Sequence, residues 1–480
     1  MTIEGKKVLV VGIARSGVAA ARLLGSRGAM VIANDVKPES EIRDAAEELR
    51  KLGVMLSLGG HPESIFGNAD LIVLSPGVPA DLPALEAGRR AGVEIISEPE
   101  LAGRFISGRM IGVTGSNGKT TVTTLIGELM RAAGAAVIVG GNIGTPLTSL
   151  IEKSTEETWI VAELSSFQLE MISSLRVNVA IVTNITPDHL DRHGSFDNYM
   201  RAKHRIFSNQ EKNDRAVLNG QDRGVADMVA KLGAPSGKVY FSSHGPETLT
   251  GEAADIYVEG GRICTTMMAE DRGETELIKL DEIPLPGMHN VENVMTALAA
   301  TLCAMETGVN DLRALGEAIK RFKGVEHRIE YVAEIDGIKF YNDSKATNVD
   351  STVKALEAFE RNIIVILGGK DKGSDYSALA PLVRDRVKQV ILIGAASDKI
   401  AEQLEGSSPM RRARSMQDAV FSAMEVATAG DTVLLAPACA SFDMFDNFEH
   451  RGRVFKEAVY KLASRLQRLD WQANDLRPER

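Results

Sequence analysis

The 480-residue sequence predicts an α/β protein of three domains. The chain is too long for a single hydrophobic core, because cores stop growing at roughly 250–300 residues. Short apolar runs alternate with helix-like segments along the whole chain, which is typical of mainly parallel sheets. The expected division is a Rossmann-like domain over residues 1–97, a central domain with a mainly parallel sheet over 98–305, and a second Rossmann-like domain over 306–480.

Bulk composition narrows the class of protein. The net charge of -10, from 55 basic and 65 acidic residues, argues against a nucleic-acid-binding surface. The three cysteines, Cys264, Cys303 and Cys439, are few and scattered, which fits a reducing cytoplasm rather than a disulfide framework. No apolar run is long enough to span a membrane. We expect a cytoplasmic monomer with no nucleic-acid partner.

The first domain begins with a Rossmann-like pattern. Lys7 to Val11 is predicted to be a strand, the loop Gly12 to Gly17 follows it, and the next strand ends at Asp35. Ala14 replaces the second glycine of the dinucleotide-binding fingerprint, which weakens the case for NAD. A later strand ends in the loop Ser75 to Pro79, at the sheet edge where such folds bind ligands. A nucleotide-like ligand other than NAD is therefore expected here.

The second domain contains a phosphate-binding loop. The turn Thr114 to Gly118 lies between a predicted strand, Met110 to Val113, and a predicted helix, Lys119 to Ala133. Such a turn presents backbone N–H groups and a positive helix end to phosphates. Lys119 would contact the β- and γ-phosphates, and the Thr120 hydroxyl could bind Mg²⁺. The strict pattern has a glycine where this chain has valine, but the arrangement still predicts a P-loop-type ATPase domain.

Other polar side chains are expected at the same edge of this sheet. Glu163 ends one predicted strand, and His189 lies in the loop after the next, so both should lie near Lys119. Parallel strands bring separate loops together at their carboxyl ends, which predicts a Mg·ATP site. Lys203 lies on the apolar face of a predicted helix, Phe196 to Gln210, where its stem could alternatively cover apolar surface while its ammonium reaches water.

The rest of the chain carries further polar loops. Asn290 and Asn293 lie one turn apart near the start of a predicted helix, placed to bind a purine or phosphate, although Asn290 could instead cap the helix. A hairpin is predicted with its turn at Asp336-Gly337. A long helix is predicted from about Asn447 to Leu466.

Nine motifs in the second and third of these domains identify a family. They are Thr114–Thr121, Gly141–Gly144, Glu163–Glu170, Asn184–Asp191, Gly287–Asn290, His327-Arg328, Asn342–Asn348, Ala438–Asp443 and Asn447–Gly452. On these motifs, the sequence resembles the Mur ligases of peptidoglycan synthesis over nearly its whole length.

The resemblance implies an ATP-dependent carboxylate–amine ligase. In this family the carboxylate of a UDP-linked precursor attacks the γ-phosphate of ATP, giving an acyl phosphate and ADP. An amine then attacks the acyl phosphate, and a tetrahedral intermediate collapses to an amide and phosphate. The motifs Asn342–Asn348 and Ala438–Asp443 favour D-glutamate as the amine and UDP-N-acetylmuramoyl-L-alanine as the precursor.

The resemblance also implies residue roles. The implied ATP contacts are Gly115, Ser116, Asn117, Gly118, Lys119, Thr120, Thr121, Asn290, Asn293, Arg328 and Asp343. The implied precursor contacts are Arg15, Ser16, Asp35, Gly77, Asn142 and His189. The implied positions around D-glutamate are Lys345, Thr347, Lys372, Ser441 and Phe448. The implied catalytic residues are Lys119, His189, Lys203 and Lys345. Closure of the third domain onto the second is expected to assemble this site and exclude water.

Two Mg²⁺ sites are implied in the same way. One would be held by Thr120 and Glu163, and the other by His189 and a carbamylated Lys203. An unmodified ammonium would repel the cation, whereas a carbamate is an anionic oxygen ligand.

Three alternatives remain open from the sequence. The nearest is a sister ligase that adds L-alanine or a diamino acid, or a folylpolyglutamate synthase. A nicotinamide-dependent oxidoreductase would bind NAD(P)H in the first domain and need no ATP. A P-loop regulatory ATPase would turn over ATP without an amino acid.

Overall fold

The computed structural model describes residues 2–233, 237–268, 274–305 and 312–475. It divides into two compact units: Met1–Ile283 with Val291–Arg321, and Pro284–Asn290 with Phe322–Arg480. The predicted boundary at 97/98 stays a prediction, and the one at 305/306 adjoins residues outside the described ranges.

The first sheet of unit one is parallel throughout, with strand order β3-β2-β1-β4-β5. Its strands are β1 (Lys7–Val11), β2 (Met30–Asp35), β3 (Met55–Leu58), β4 (Leu71–Leu74) and β5 (Glu94–Ser97). Its helices are α1 (Arg15–Ser26), α2 (Arg43–Lys51), α3 (Glu63–Gly67), α4 (Leu85–Arg90) and α5 (Glu98–Gly103). This doubly wound arrangement brings the loops after β1 and β4 to one edge, because the two strands are neighbours.

The second sheet of unit one has nine strands in the order β14-β13-β12-β11-β10-β9-β6-β8-β7. They are β6 (Arg109–Thr114), β7 (Val137–Gly141), β8 (Trp159–Glu163), β9 (Val179–Val182), β10 (Arg215–Asn219), β11 (Lys238–Ser242), β12 (Ile256–Glu259), β13 (Arg262–Thr265) and β14 (Thr275–Lys279). Among the described strands of this sheet, only the pairings β12–β13 and β13–β14 are antiparallel. The associated helices are α6 (Lys119–Ala132), α7 (Ser166–Leu169), α8 (Leu190–His193), α9 (Phe196–His204), α10 (Arg223–Leu232), α11 (Met288–Met305) and α12 (Leu312–Arg321).

The sheet of unit two has the order β15-β16-β20-β17-β18-β19. Its strands are β15 (Glu330–Ile335), β16 (Ile338–Asn342), β17 (Ile363–Leu367), β18 (Val387–Leu392), β19 (Met410–Arg412) and β20 (Thr432–Leu435). Its helices are α13 (Val349–Glu357), α14 (Ala380–Arg386), α15 (Ser397–Gln403), α16 (Met416–Val426) and α17 (Phe448–Asp475).

Some interior strands are buried along their whole length. All five residues of β8 and of β17 are buried, as expected where helices cover both faces of a parallel sheet. One hydrophobic cluster runs through both sheets of unit one and includes Leu24 of α1 and Leu150 from the turn after β7. That shared core explains why the two sheets form one compact unit.

The fold prediction is confirmed, with local differences. The hairpin β15–β16 turns at Asp336 (φ 51°) and Gly337 (φ 75°), and two successive positive φ values are those of a type I′ turn. Helix α17 continues to Asp475, beyond the predicted end at Leu466.

Candidate active site

The phosphate-binding loop joins β6 to α6 and requires its two glycines. Gly115 has φ 141°, and a Cβ there would overlap the hydroxyl of Thr183. Gly118 has φ 81° at the N-terminus of α6, and a Cβ there would overlap the amide oxygen of Asn293. These positions therefore admit only glycine without a rearrangement.

The loop that follows β9 holds the phosphate loop in place. The Ser116 hydroxyl donates to the carbonyl of Thr186 (2.9 Å), and the Asn117 amide donates to the side-chain oxygen of Asn184 (2.8 Å). Two strand-end loops are thus joined before any nucleotide binds, which lowers the entropy cost of binding one.

Two lysines converge on one backbone carbonyl of the phosphate loop. The ammonium of Lys119 donates to the carbonyls of Gly115 (2.9 Å) and Ser116 (2.7 Å), and Lys203 donates to Gly115 (2.7 Å). Lys203 is only 2% exposed and its Nζ lies 4.5 Å from the centre of the Tyr199 ring. Burial, and then the charge of Lys119, hold the pKa of Lys203 well below its ordinary value, against the opposing charges of nearby carboxylates. The alternative of an ammonium that reaches water is therefore wrong, because Lys203 is buried.

A buried carboxylate lies beside the loop with both oxygens engaged. Glu163, 2% exposed, accepts from the Thr120 hydroxyl (2.8 Å) and from the side-chain amide of Asn142 (2.8 Å). A hydroxyl and a carboxylate oxygen this close are the donors that Mg²⁺ prefers. The pair Thr120 and Glu163 therefore fits the metal that the sequence predicts.

His189 stands at the N-terminus of α8 in a left-handed conformation (φ 53°). Its side chain is half exposed, and its Nε2 lies 3.5 Å from a carboxylate oxygen of Asp188. Its ring meets Phe167 edge-on, with 5.0 Å between ring centres. The prediction that it binds metal remains a prediction.

A cavity of about 540 Å³ opens between the loops of the two sheets of unit one. Five of the predicted precursor contacts line it, namely Arg15, Ser16, Asp35, Gly77 and Asn142. Its volume lies within the range typical of small-molecule sites. Because Asn142 also donates to Glu163, the cavity and the predicted phosphate site share a residue.

The incomplete glycine fingerprint has a structural explanation. A Cβ at Gly17 would overlap the carbonyl of Gly12, and one at Gly12 would lie 2.7 Å from Val78, so the two retained glycines are the ones that close packing requires. Asp35 accepts from the backbone amides of Ile13 (2.7 Å) and Lys37 (3.0 Å). Its carboxylate therefore supports the first loop as well as lining the cavity.

Gln168 lines the cavity and was absent from the predicted site residues. Its carbonyl oxygen accepts from the backbone amide (2.9 Å) and hydroxyl (3.0 Å) of Ser165 at the start of α7. It is 1% exposed, and its Nε2 has no hydrogen-bond partner among the described residues. A buried amide without a partner is costly, which marks it as a candidate ligand donor. Its position in the motif Glu163–Glu170 was the available signal.

In unit two, three strand-end loops carry the residues predicted around D-glutamate. Buried Arg451 donates to the Ser344 hydroxyl (3.0 Å) and to the Cys439 carbonyl (3.0 Å). Lys370 and Ala440 pair through their backbones, which adds the loop after β17. Lys345 lies 3.9 Å from the centre of the Phe448 ring. The loops carrying Lys345, Thr347, Lys372 and Ser441 are therefore mutually fixed.

Two of the remaining predicted ATP contacts, Asn290 and Asn293, lie one turn apart on α11. Asn293 packs against Gly118 in unit one, whereas Asn290 belongs to unit two and donates to the carbonyl of Pro286 (2.7 Å). Burial raises the pKa of Asp343 to about 7, and the charge of Arg328 opposes that rise. Asn290 lies inside the first turn of α11, so the alternative of an N-cap is wrong.

Comparison with known proteins decides the family. The N-terminal domain model of the MurD-like Mur ligases matches residues 6–97, the Mur ligase middle domain matches 113–301, and the glutamate ligase domain of Mur ligases matches 327–439. UDP-N-acetylmuramoylalanine–D-glutamate ligase from Koribacter versatilis is 44% identical over 96% of this chain and 99% of its own length. The enzyme of that name from Acidobacterium capsulatum is 47% identical over 96% and 97%. The chain belongs to the Mur ligase family.

Two solved ligase structures show the same fold. UDP-N-acetylmuramate–alanine ligase from Thermotoga maritima has a TM-score of 0.56 at 20% identity, over 95% of this chain and 99% of that one. A pseudomurein peptide ligase type C from Methanothermus fervidus has a TM-score of 0.57 at 20% identity, over 95% and 100%. Membership of the Mur ligases implies ATP and Mg²⁺. Within the described ranges, every helix falls short of the length and apolar character that crossing a bilayer needs.

Proposed function

We propose that this Mur ligase joins D-glutamate to UDP-N-acetylmuramoyl-L-alanine at the expense of ATP, in the bacterial cytoplasm, as a step of peptidoglycan precursor synthesis. The names of the curated relatives and the MurD-like match of residues 6–97 support this substrate pair. The observation that carries the chemistry is Asn142, which lines the cavity and donates to Glu163 beside the phosphate loop.

The first step places one anion against another. The precursor occupies the cavity, and its carboxylate lies near Asn142 and His189, facing the γ-phosphate. Lys119 leaves the carbonyls of its own loop to contact the phosphates and offset the developing charge. Thr120 and Glu163 would hold Mg²⁺, which would supply further charge neutralisation at the phosphates.

Lys203 serves this step in a modified form. Its lowered pKa favours the neutral amine, the form that adds CO₂ to give a carbamate with release of a proton. The carbamate oxygens and His189 would hold a second Mg²⁺, which would neutralise further charge. A buried anion there also offsets the nearby charge of Lys119, which an unmodified ammonium would not.

The second step uses unit two. Ammonium groups at Lys345 and Lys372, with hydroxyls at Thr347 and Ser441, suit the two carboxylates of D-glutamate. Bound in this way, the amino acid presents its amine to the acyl phosphate. Phe448, against which Lys345 packs, keeps that ammonium in one orientation.

The ligation assay tests the proposal. Purified protein is incubated with Mg·ATP, UDP-N-acetylmuramoyl-L-alanine and one amino acid at a time, and phosphate release and product mass are recorded. We expect product with D-glutamate and none with L-glutamate, L-alanine or a diamino acid. Product with a diamino acid would make the chain a sister ligase, and ATP turnover without any amino acid would favour a regulatory ATPase.

A further inference from the structure

Arg192, on α8 three residues after His189, connects the two halves of unit one. Its Nη1 donates to the carbonyl of Pro76 (3.0 Å), and its Nη2 donates to that of Val78 (2.8 Å). Both carbonyls belong to the loop after β4, whose residues 75–79 form one wall of the cavity. Arg192 does not itself line the cavity among the described residues. Arg192 therefore supports this wall from outside the cavity.

The Arg192 guanidinium also packs on an aromatic ring. Its central carbon is 3.9 Å from the centre of the Phe167 ring. Phe167 also contacts the ring of His189 edge-on at 5.0 Å and stacks on His193 at 5.2 Å. One planar side chain thus touches both the cavity wall and the ring that supports His189.

His193, which stacks on Phe167, is itself held by two polar neighbours. His193 is buried, with its Nε2 3.0 Å from the Ser166 hydroxyl and its Nδ1 3.1 Å from Glu170. Ser166 and Phe167 are neighbours on α7, which follows Glu163 by a few residues. The position of Phe167 is therefore set by the element that also orients the candidate metal ligand.

We propose that Arg192 is a positioning residue that fixes the cavity wall Ser75–Pro79 relative to His189, and so aligns the precursor carboxylate for attack. The inference rests on the proposed function, because the aligned group is the precursor's carboxylate. Arginine suits the task since its planar fork donates to two carbonyls while its face stacks on a ring. A lysine ammonium has no planar face to stack on the ring, and its donors are not held in the fixed fork of a guanidinium.

Kinetics of Arg192→Ala and Arg192→Lys test the proposal, with Arg201→Ala as control. Arg201 is an exposed arginine on the neighbouring helix α9, outside the cavity lining, so its removal changes net charge equally. We expect Arg192→Ala to lower kcat/KM for the precursor by at least about tenfold, because small misplacements of reacting groups are costly. KM for ATP should stay within about twofold. Arg192→Lys should recover only part of the loss, and added methylguanidinium should partly restore Arg192→Ala.

Binding measurements separate this role from a merely structural one. Calorimetry measures binding without turnover. It should show that the precursor binds Arg192→Ala more weakly than wild type, whereas Mg·ADP binding and the melting temperature stay unchanged. Wild-type kinetics in both variants would overturn the proposal. So would a parallel loss of Mg·ADP binding and thermal stability without guanidinium rescue. A wild-type protein that ligates no D-glutamate would instead refute the proposed function.

Discussion

Single residues show how burial changes chemistry at this site. Lys203 is enclosed by the phosphate loop and the Tyr199 ring, and a second lysine shares its hydrogen-bond acceptor. An ammonium in such a place is disfavoured by desolvation and by like charge, which is why its pKa falls. The side chain is therefore suited to become an anionic ligand.

Lys203→Ala is expected to abolish ligation and to regain part of it when acetate or formate is added, because a small carboxylate can occupy the place of the carbamate. Phosphate release with D-glutamate measures both effects. Lys212→Ala, at an exposed lysine, is the matched control and should keep wild-type activity. Full activity in Lys203→Ala would remove this residue from the mechanism.

Helix α5 carries two buried carboxylates with opposite behaviour. Burial raises the pKa of Glu98 to about 7, although the backbone amide and hydroxyl of Thr148 each donate to it at 2.7 Å. Burial would also raise the pKa of Glu100, but donors from Ser174, Ser173, Arg104 and Leu175 outweigh that effect and lower it to about 2. Two residues apart on one short helix, the carboxyls differ in how many donors reach them.

The two carboxyls should give opposite pH dependences of stability. In the folded protein Glu98 keeps a proton that the unfolded chain releases above pH 4.5. Its contribution to the free energy of unfolding therefore falls as the pH rises to about 7. Glu98→Gln should therefore stabilise the protein by up to about 3 kcal/mol near pH 8 and have little effect near pH 4. Glu100 stabilises the folded state above pH 4.5, and this stabilisation is lost as the pH falls toward 2. Glu100→Gln should cost up to about 3 kcal/mol near pH 7 and less in acid.

Urea unfolding of wild type and both variants at three pH values measures these differences, and each variant is the control for the other. The same pH trend in both variants would contradict the opposite pKa shifts assigned to Glu98 and Glu100.

At the scale of the whole molecule, unit one contains two candidate ligand sites. The phosphate loop and the cavity lie in one compact body, joined through Asn142 and Glu163. A ligand that binds only the folded state stabilises it by about 2.7 kcal/mol at a hundred times its Kd. Each ligand should therefore raise the melting temperature independently.

Lys119→Ala should lose the thermal shift caused by Mg·ADP and keep the shift caused by UDP-N-acetylmuramoyl-L-alanine. Arg15→Ala should lose the shift caused by UDP-N-acetylmuramoyl-L-alanine and keep the shift caused by Mg·ADP, because Arg15 is an exposed residue of the cavity lining. Thermal denaturation with each ligand checks both. Loss of both shifts in either variant would show that the two sites are not separate.

Local patterns were sufficient for the strands, the phosphate loop and the Asp336-Gly337 turn. Each depends on residues that are neighbours in the chain: an apolar run, glycines where φ is positive, a lysine and threonine at a helix start. The family resemblance rested on the same short motifs and is confirmed by the comparisons. The roles of individual site residues stay predictions.

Packing between distant segments determined the rest. Three features depend on segments that are far apart in the chain. They are the burial of Lys203, the unpaired side-chain amide of Gln168, and the hydrogen bonds from Arg192 to the carbonyls of Pro76 and Val78. The order of the strands fixes which of these meet. Periodicity and motif spacing cannot reveal such features, because desolvation and hydrogen-bond satisfaction depend on neighbours that only the assembled sheets and helices bring together.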